Sequence, residues 1–339
     1  MVKKILFALL SLAIFIIGAG CESRQPEANP TATPAEAVAE MENVEYVGQW
    51  GEAISDFAIL GDYLLVIQDA KQLRVVDVSD PARPVVTGET AAYAEPTWIV
   101  TVAGSYAYLA GGGVNLRVVE LTDSAHPIEV AAISIVPAGR CVGMRGAVAY
   151  MRDDSRGLWA VDIADPAHPV VVGFYQMAEQ VNTTTISGDY AILLDLSNQV
   201  WLVDITDPAH LSEAASFQGA WEITYAANMI GGYLYASVHW WDMGQGLEIL
   251  NLSNPSEPGE ESAVQTPGIA RLAGVAGRYA YWLIDIAGVL VEDISDPAQP
   301  VAVGHYYFDE RFEWLQGAQV NGELIWVRED DGRLHILRF

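Results

Sequence analysis

The chain has 339 residues, of which 51% are apolar and 18% are charged, so it can bury a sizeable core in one large domain or two average ones. Acidic side chains outnumber basic ones, and the formal net charge is −27. This charge repels phosphates and excludes a basic nucleic-acid-binding surface, while it favours cationic partners or divalent ions without identifying any.

The first 20 residues are predicted to be an export signal. Two lysines precede an apolar run from Ile5 to Ile17, which is too short to cross about 30 Å of hydrocarbon. The residues Gly18-Ala19-Gly20 before Cys21 resemble the lipobox of bacterial lipoproteins, although Gly18 stands where that family usually carries Leu, Val or Ile. The resemblance implies cleavage before Cys21, acylation of that cysteine and membrane attachment; an ordinary cleaved signal is the alternative.

Residues 21–43 follow as a predicted tether. Their sequence after the cysteine, "ESRQPEANPTATPAEAVAEMEN", is rich in Ala, Glu, Pro and Thr and has too little apolar surface to fold. The only other cysteine is Cys141, so an acylated Cys21 leaves no disulfide within the chain. We expect Cys141 to be a small buried residue of a strand.

A repeat of about 42 residues covers the rest of the chain. Its copies are "LRVVDVSDPARP" (73–84), "LRVVELTDSAHP" (116–127), "LWAVDIADPAHP" (158–169), "VWLVDITDPAHL" (200–211), "LEILNLSNPSEP" (247–258) and "VLVEDISDPAQP" (289–300). The acidic or amide residues that anchor these copies are 43, 42, 42, 47 and 42 positions apart, and a shortened copy, "LHILRF", ends the chain. A fixed period of this length is typical of stacked supersecondary units.

Each unit is predicted to contain four short strands. Alternating or continuous apolar segments such as "TWIVTVAG", "SYAYLAG" and "PVVVGFY" flank the repeated strand, and Gly-Asp, Gly-Ser or Asn-Gly pairs mark hairpin turns. The Asp-Pro segments are predicted to be structural turns, because proline fixes φ and Asp can accept hydrogen bonds from nearby amides. Four strands in each period and no helical periodicity indicate the blades of a β-propeller.

The two ends of this region are predicted to complete one blade together. The last unit lacks its fourth strand, and "VEYVGQW" at 44–50 matches the fourth strand "VVVGFYQ" of another unit. Pairing the N-terminal strand with the last hairpin would remove an open sheet edge. The fold class is therefore predicted to be all-β: one seven-bladed β-propeller over residues 44–339, closed by the N-terminal strand.

The repeated strand and turn resemble the LVIVD repeat family. The resemblance rests on "LRVVD" and "LWAVD" and on six copies of the turn, and it covers residues 44–339. It implies a β-propeller that is often extracytoplasmic and whose molecular role is poorly defined. It assigns no catalytic residue.

No catalytic motif marks an active site, since the sequence lacks HExxH, GxSxG, a P-loop and a strand-linked GxGxxG. We expect no cofactor and no metal site, with a divalent cation as a weak alternative. His126, His168 and His210 are equivalent residues of three units, too far apart for one coordination sphere. Asp residues recur in the turns between second and third strands, and turn chemistry alone can explain them. The alternative interpretation is a ring of carboxylates on one face of the propeller. The residues are Asp69, Asp154, Asp195, Asp242, Asp285 and Asp330.

Candidate ligand-binding residues lie in the loops on the face where successive blades are joined. Aromatic and polar side chains on loops of a rigid scaffold are suited to binding, and tryptophan packing between blades is the structural alternative. The longest insertion, "HWWDMGQG", is the most individual segment. The candidates are Trp98, Arg140, Trp221, His239, Trp240, Trp241, Asp242, Arg271, Arg311 and Trp314.

Three functions remain open from the sequence. The first is a membrane-anchored, extracytoplasmic propeller, expected to be a monomer, that binds a protein, a peptide or a glycan. The second is an enzyme, a lyase or hydrolase, in which Arg140, Arg271, Arg311 and Glu313 clamp substrate and exchange protons. The third is a purely structural component of the cell envelope.

Overall fold

The computed structural model describes residues 43–111, 116–134, 140–153, 157–177, 180–218, 223–240, 244–255, 258–285, 288–308 and 315–339. Residues 140, 223–225, 240, 260 and 261 are described by their backbone alone. The predicted export signal at 1–20 lies outside the described residues. So does the predicted tether at 21–43, except for Asn43.

The described residues form 28 strands in seven four-stranded antiparallel sheets, as the repeat predicts. Blade 1 contains β2–β5, and each following blade takes the next four strands in chain order. The strands of blades 1 to 3 are β2 (Ile54–Leu60), β3 (Tyr63–Gln68), β4 (Gln72–Asp77), β5 (Val85–Glu89), β6 (Thr97–Ala103), β7 (Tyr106–Gly111), β8 (Leu116–Glu120), β9 (Ile128–Ile133), β10 (Arg140–Arg145), β11 (Val148–Asp153), β12 (Gly157–Asp162) and β13 (Val170–Gln176).

Blades 4 to 6 repeat the same order. Their strands are β14 (Val181–Ser187), β15 (Tyr190–Asp195), β16 (Gln199–Asp204), β17 (Ser212–Gln218), β18 (Ile223–Ile230), β19 (Tyr233–Trp240), β20 (Gly244–Asn251), β21 (Gly259–Gln265), β22 (Ala270–Ala276), β23 (Tyr279–Ile284), β24 (Gly288–Asp293) and β25 (Val301–Tyr306).

Blade 7 combines the two ends of the described part of the chain. It contains β26 (Leu315–Asn321), β27 (Leu324–Glu329), β28 (Leu334–Arg338) and, as its fourth strand, β1 (Glu45–Trp50). Strand β1 pairs antiparallel with β28, from Glu45 opposite Arg338 to Trp50 opposite Leu334. The predicted closure is confirmed. First strands contact one another from blade to blade, and β26 contacts β2, so the ring is complete.

The antiparallel meander gives the ring two distinct faces. The segments that join successive blades and the turns between second and third strands lie on one face, which we call the loop face. The turns between first and second strands and the Asp-Pro turns lie on the opposite face, the turn face. Each turn between first and second strands has a glycine in the left-handed region, with φ between 57° and 62°.

The blades are held together by apolar seams. Trp326 of blade 7 packs with Phe57 of blade 1 in one buried cluster, and Tyr235 of blade 5 packs on Trp282 of blade 6 with ring centroids 5.6 Å apart. These large side chains are almost fully buried. Aromatic burial between neighbouring sheets therefore contributes much of the cohesion of the ring.

The fourth strands of blades 1, 3 and 7 also contact the turn between third and fourth strands of the following blade. All seven pairs of third and fourth strands contain a β-bulge, and the residue after the bulge is Gly88 in blade 1 and Gly173 in blade 3. A Cβ atom on Gly88 would lie 2.2 Å from the Ser124 carbonyl oxygen, and one on Gly173 would lie 1.9 Å from the Pro208 carbonyl oxygen. Glycine is required at these two positions because backbone occupies the space of a side chain.

Beside the fourth strand of blade 6, the side chain of Phe339 takes the place that a turn takes beside Gly88 and Gly173. The ring of Phe339 lies against Gly304 of blade 6, at 2.6 Å from an ideal Cβ position. It also makes edge contacts with Tyr279 and Tyr281, at 5.1 and 6.0 Å between ring centroids. An aromatic side chain thus fills the joint that a turn fills elsewhere.

Candidate functional site

One position at the loop face carries a polar or aromatic side chain in every blade. It lies six residues before the glycine of the turn between first and second strands, within the first three residues of the first strand. Since the first strands surround the ring axis, these residues encircle the mouth of the central channel. We call them the mouth ring: Ser55, Trp98, Arg140, Asn182, Tyr225, Arg271 and Gln316.

A β-bulge places most members of the mouth ring. In five blades the mouth-ring residue is the extra residue of a bulge in the first strand, as Trp98 is between Thr97 and Ile99. In blades 3 and 6 the bulge comes two residues later, and Arg140 and Arg271 pair regularly with Arg152 and Leu283. Bulges commonly redirect a side chain at a binding site, because they interrupt the alternation of the strand.

The described side chains of the mouth ring are open to solvent. Trp98 is 52% exposed, which is unusual for so large an apolar side chain. Asn182 and Gln316 are also exposed, and Ser55 is half-buried. The mouth therefore offers an indole surface and three neutral hydrogen-bonding side chains.

Hydrogen bonds from neighbouring blades hold the backbone of the mouth ring. The amide before Trp98 donates to the Ala70 carbonyl of blade 1 at 2.7 Å. The Asn182 carbonyl accepts a hydrogen bond from Arg152 of blade 3 at 2.8 Å. Because these bonds cross blade boundaries, the backbone that carries the mouth ring is positioned before any ligand arrives.

A carboxylate bridges blades 1 and 2 directly below this surface. Asp56 follows Ser55 and accepts a hydrogen bond from the Val100 amide at 2.9 Å. Burial raises the pKa of Asp56 to about 6, against the opposing effects of the Val100 amide and the Arg328 guanidinium. The bond from Thr97 to Ala70 thus fixes β6 before Trp98, and the bond from Val100 to Asp56 fixes it after Trp98.

Arg271 is fixed by two partners. Its guanidinium forms an ion pair with Asp285 at the end of the neighbouring strand and donates to the Leu315 carbonyl of blade 7 at 2.5 Å. Burial raises the pKa of Asp285, although Arg271 opposes the shift. Arg271 therefore links blade 6 to Leu315 of blade 7, the residue before Gln316. The Arg271 side chain is itself 40% exposed.

The other predicted site residues are only partly described. His239 lies half-buried in β19, opposite Ile223 and Gln245. Arg140 and Trp240 are the first residue of β10 and the last residue of β19, and their side chains lie outside the description. The remaining predicted residues lie outside the described residues: Cys21, Trp221, Trp241, Asp242, Arg311, Glu313 and Trp314.

The three equivalent histidines belong to their own turns. Nδ1 of His126, His168 and His210 lies 2.8–2.9 Å from the carboxylate of the aspartate three residues earlier. These side chains are about four-fifths exposed on the turn face. Among the described residues, no three His, Cys, Asp or Glu side chains form a group that could hold a metal ion.

The aspartate series also has local roles where it is described. Asp195 is buried and accepts hydrogen bonds from the Ser197 amide at 2.8 Å and the Trp201 indole at 2.9 Å. Although burial alone would raise the pKa of Asp195, these bonds lower it. Asp69 adopts φ 51° in its turn, Asp285 pairs with Arg271, and Asp154 and Asp242 lie outside the described residues.

Cys141 is buried, as predicted. Burial raises the pKa of its thiol to about 11, which leaves it protonated and unreactive near neutral pH. No described helix is long and apolar enough to span a membrane.

Sequence reasoning identified three members of the mouth ring, Trp98, Arg140 and Arg271, and overlooked the other four. Ser55, Asn182, Tyr225 and Gln316 lie in segments that look like ordinary alternating strands. A usable signal did exist, because the offset of six residues from the turn glycine is constant. Only the bulges show why that position differs from its neighbours.

Comparison with known proteins supports the fold and identifies a family. The model of the LVIVD repeat matches residues 45–91, 96–134, 141–177, 180–218, 228–266 and 267–307, which together are more than half of the chain. No curated protein matches the sequence.

Solved structures share the architecture at low identity. The β-propeller domain of Cps50 (Swd1) from Myceliophteria thermophila is 12% identical, with a TM-score of 0.62 over 87% of this chain and 99% of that domain. The WD40 domain of Pan2 from Neurospora crassa is 10% identical, with a TM-score of 0.61 over 87% and 95% of the two chains. The computationally designed Ika8 protein is 8% identical, with a TM-score of 0.59 over 87% of this chain and all of that one. At these identities the likeness concerns the fold alone.

Proposed function

The chain belongs to the LVIVD repeat family, and we propose that it is an extracytoplasmic, lipid-anchored propeller that binds a ligand at the mouth ring. The ligand class in this proposal is a protein, a peptide or a glycan. The observation that carries it is the mouth ring itself: seven equivalent positions, none of them aliphatic, at one end of a closed ring. A merely structural propeller would not need this selection of polar and aromatic residues at one equivalent position of every first strand.

The course of the chain supports the orientation of this binding surface. Strand β1 begins at Glu45 on the turn face, opposite Arg338, and runs toward the loop face. The Asn43 side chain also bonds to the Val303 carbonyl at 3.0 Å, so the chain joins the ring at this face. A tether that leads from Cys21 would leave from the turn face, and the mouth ring would point away from the membrane.

The enzyme alternative has less support from the described residues. Arg271, one of the proposed substrate clamps, is already engaged by Asp285 and by the Leu315 carbonyl. A guanidinium held in this way is suited to positioning the mouth, and general acid–base work needs a group of suitable pKa beside the reacting atom. The proposal therefore includes no catalytic step and no cofactor.

The anchor is tested by metabolic labelling with an alkyne-bearing fatty acid. We expect the wild-type chain to incorporate the label and to sediment with membranes. The Cys21→Ser variant should lose the label, and because cleavage before this residue depends on the cysteine, it should also retain the leader. A Cys21→Ser chain that stays labelled would disprove lipidation at this residue.

The binding surface is tested by photo-crosslinking in cells. A photoreactive phenylalanine analogue placed at Trp98 should capture a discrete species. The same analogue at Tyr307, an outer residue that is 47% exposed, serves as the control. Identical products from both positions, or none from position 98, would reject the mouth ring as the binding surface.

A further inference from the structure

We propose that the ligand of the mouth ring is a saccharide whose ring stacks on Trp98 and whose hydroxyl groups bond to Ser55, Asn182 and Gln316. This inference rests on the proposed binding function and narrows it to one class of ligand. It follows from three features of the described part of the mouth: an exposed indole on a firmly held stretch of backbone, neutral hydrogen-bonding side chains, and a single large apolar side chain among those described.

The Trp98 indole has the position and rigidity that stacking requires. It is 52% exposed, whereas Trp282 and Trp326 of the blade interiors are almost completely buried. Two hydrogen bonds across the boundary between blades 1 and 2 hold the backbone on either side of Trp98. The Thr97 amide donates to the Ala70 carbonyl, and the Val100 amide donates to the Asp56 carboxylate. A tryptophan on backbone that is already held has only two side-chain torsions to fix, so it loses little entropy when a ligand stacks on it.

The neutral members of the ring match sugar hydroxyls. An amide side chain has two donors and a carbonyl acceptor, and a serine hydroxyl is both donor and acceptor, so each can satisfy a hydroxyl in either role. Asn182 and Gln316 are exposed for such contacts. A sugar ring presents apolar C–H faces for the indole and hydroxyl groups around its edge for these side chains.

The charge of the described mouth also favours a saccharide that needs no strong ion pair. Arg271 is paired with Asp285, so the pair adds little net charge at this point. Its exposed portion can still donate a hydrogen bond to an oxygen of the ligand. The mouth thus differs from the rest of a chain whose net charge is −27.

A protein partner fits these side chains less well. Stable protein interfaces bury roughly 800 Å² on each partner and depend on a central cluster of apolar and aromatic side chains. Among the described mouth-ring side chains, Trp98 is the single large apolar one, and its companions are Ser, Asn, Gln and Arg. Within the described part of the mouth, one indole accompanied by hydrogen-bonding side chains is better matched to one or two sugar rings than to a protein surface.

The experiment measures binding of the purified full-length protein to an immobilised panel of neutral polysaccharides and of polysaccharides that contain uronic acids. Oligosaccharides from the best polymer are then titrated by calorimetry. We expect the protein to bind at least one polysaccharide of the panel. Whether that polysaccharide is neutral or contains uronic acids shows which class of saccharide the mouth ring recognises. The Trp98→Ala variant should weaken binding at least about tenfold, and the Gln316→Ala and Asn182→Ala variants a few-fold each.

Tyr307→Ala serves as the matched control, because it removes a similarly exposed aromatic ring that follows an outermost strand and is not a member of the mouth ring. Its affinity should equal that of the wild type. No binding to the panel, or equal binding by Trp98→Ala, would overturn the saccharide assignment. If crosslinks at position 98 instead identify a protein, the assignment fails while the binding function stands; if both experiments fail, both proposals fall.

Discussion

Replacing Gly173 with alanine should destabilise the propeller by pushing blade 3 away from blade 4. The Cβ atom would lie 1.9 Å from the Pro208 carbonyl oxygen, whereas ordinary contact begins at 3.4 Å. The obstacle is the backbone of an Asp-Pro turn, in which Ala209 and His210 donate amide hydrogen bonds to Asp207. This turn has no flexible side-chain end that could move aside, so one of the two elements must shift by more than an ångström.

The expected cost is about 3 kcal/mol, the upper part of the range for overpacking in a well-packed core. For a domain of this size, that loss lowers the melting temperature by roughly 5 °C. Intrinsic tryptophan fluorescence during thermal and urea unfolding measures the change. The urea m-value should stay the same, since the surface exposed on unfolding is unchanged.

Equivalent glycines supply an internal scale for this prediction. Gly88 should be nearly as sensitive, and Gly48 much less, because its Cβ would lie 3.3 Å from the nearest atom. Gly51 and Gly317 have no atom within 4 Å of a Cβ and no left-handed φ, so alanine there should be neutral or slightly stabilising. Equal stability of Gly173→Ala and Gly317→Ala would refute the reasoning.

Three further predictions concern single residues. Glu292 fills a buried position that holds Val or Leu in the other six blades, and burial raises its pKa to about 7. Its contribution to stability is complete below its ordinary pKa near 4.5 and is lost as pH rises through about 7. Glu292→Val should therefore stabilise the fold by about 2.5 kcal/mol more at pH 8 than at pH 5. Equal shifts in melting temperature at the two pH values would contradict this. Phe339→Ala should cost about 2 kcal/mol in urea unfolding by emptying the joint at Gly304, and the exposed neighbour Arg338→Ala should cost little; equal losses would argue against the joint. In a Cys21→Ser chain, Cys141 should react with a thiol reagent only after unfolding, and full reaction of the native protein would contradict its burial.

The architecture could be derived almost entirely from local patterns. The period of about 42 residues, the hairpin glycines and the Asp-Pro turns determine the number and order of strands, because each depends on residues close together in the chain. Even the closure was visible, since β1 has the pattern of a fourth strand and the last repeat lacks one. The candidate site was only partly visible: Trp98 and Arg271 stood out by residue type, whereas Asn182 and Gln316 did not.

The sequence by itself determined the fold, its seven blades and the way in which the ring closes, because a strand pattern and a turn residue act over a few positions of the chain. The tertiary structure alone decided which residues meet across the blades: the Asp56 carboxylate with the Val100 amide, Arg271 with the Leu315 carbonyl, and Gly173 with the turn at Pro208. These partners are separated by about one repeat, and bulges in the strands set their alignment. No local pattern records such a contact, since its geometry arises only when neighbouring blades pack against each other.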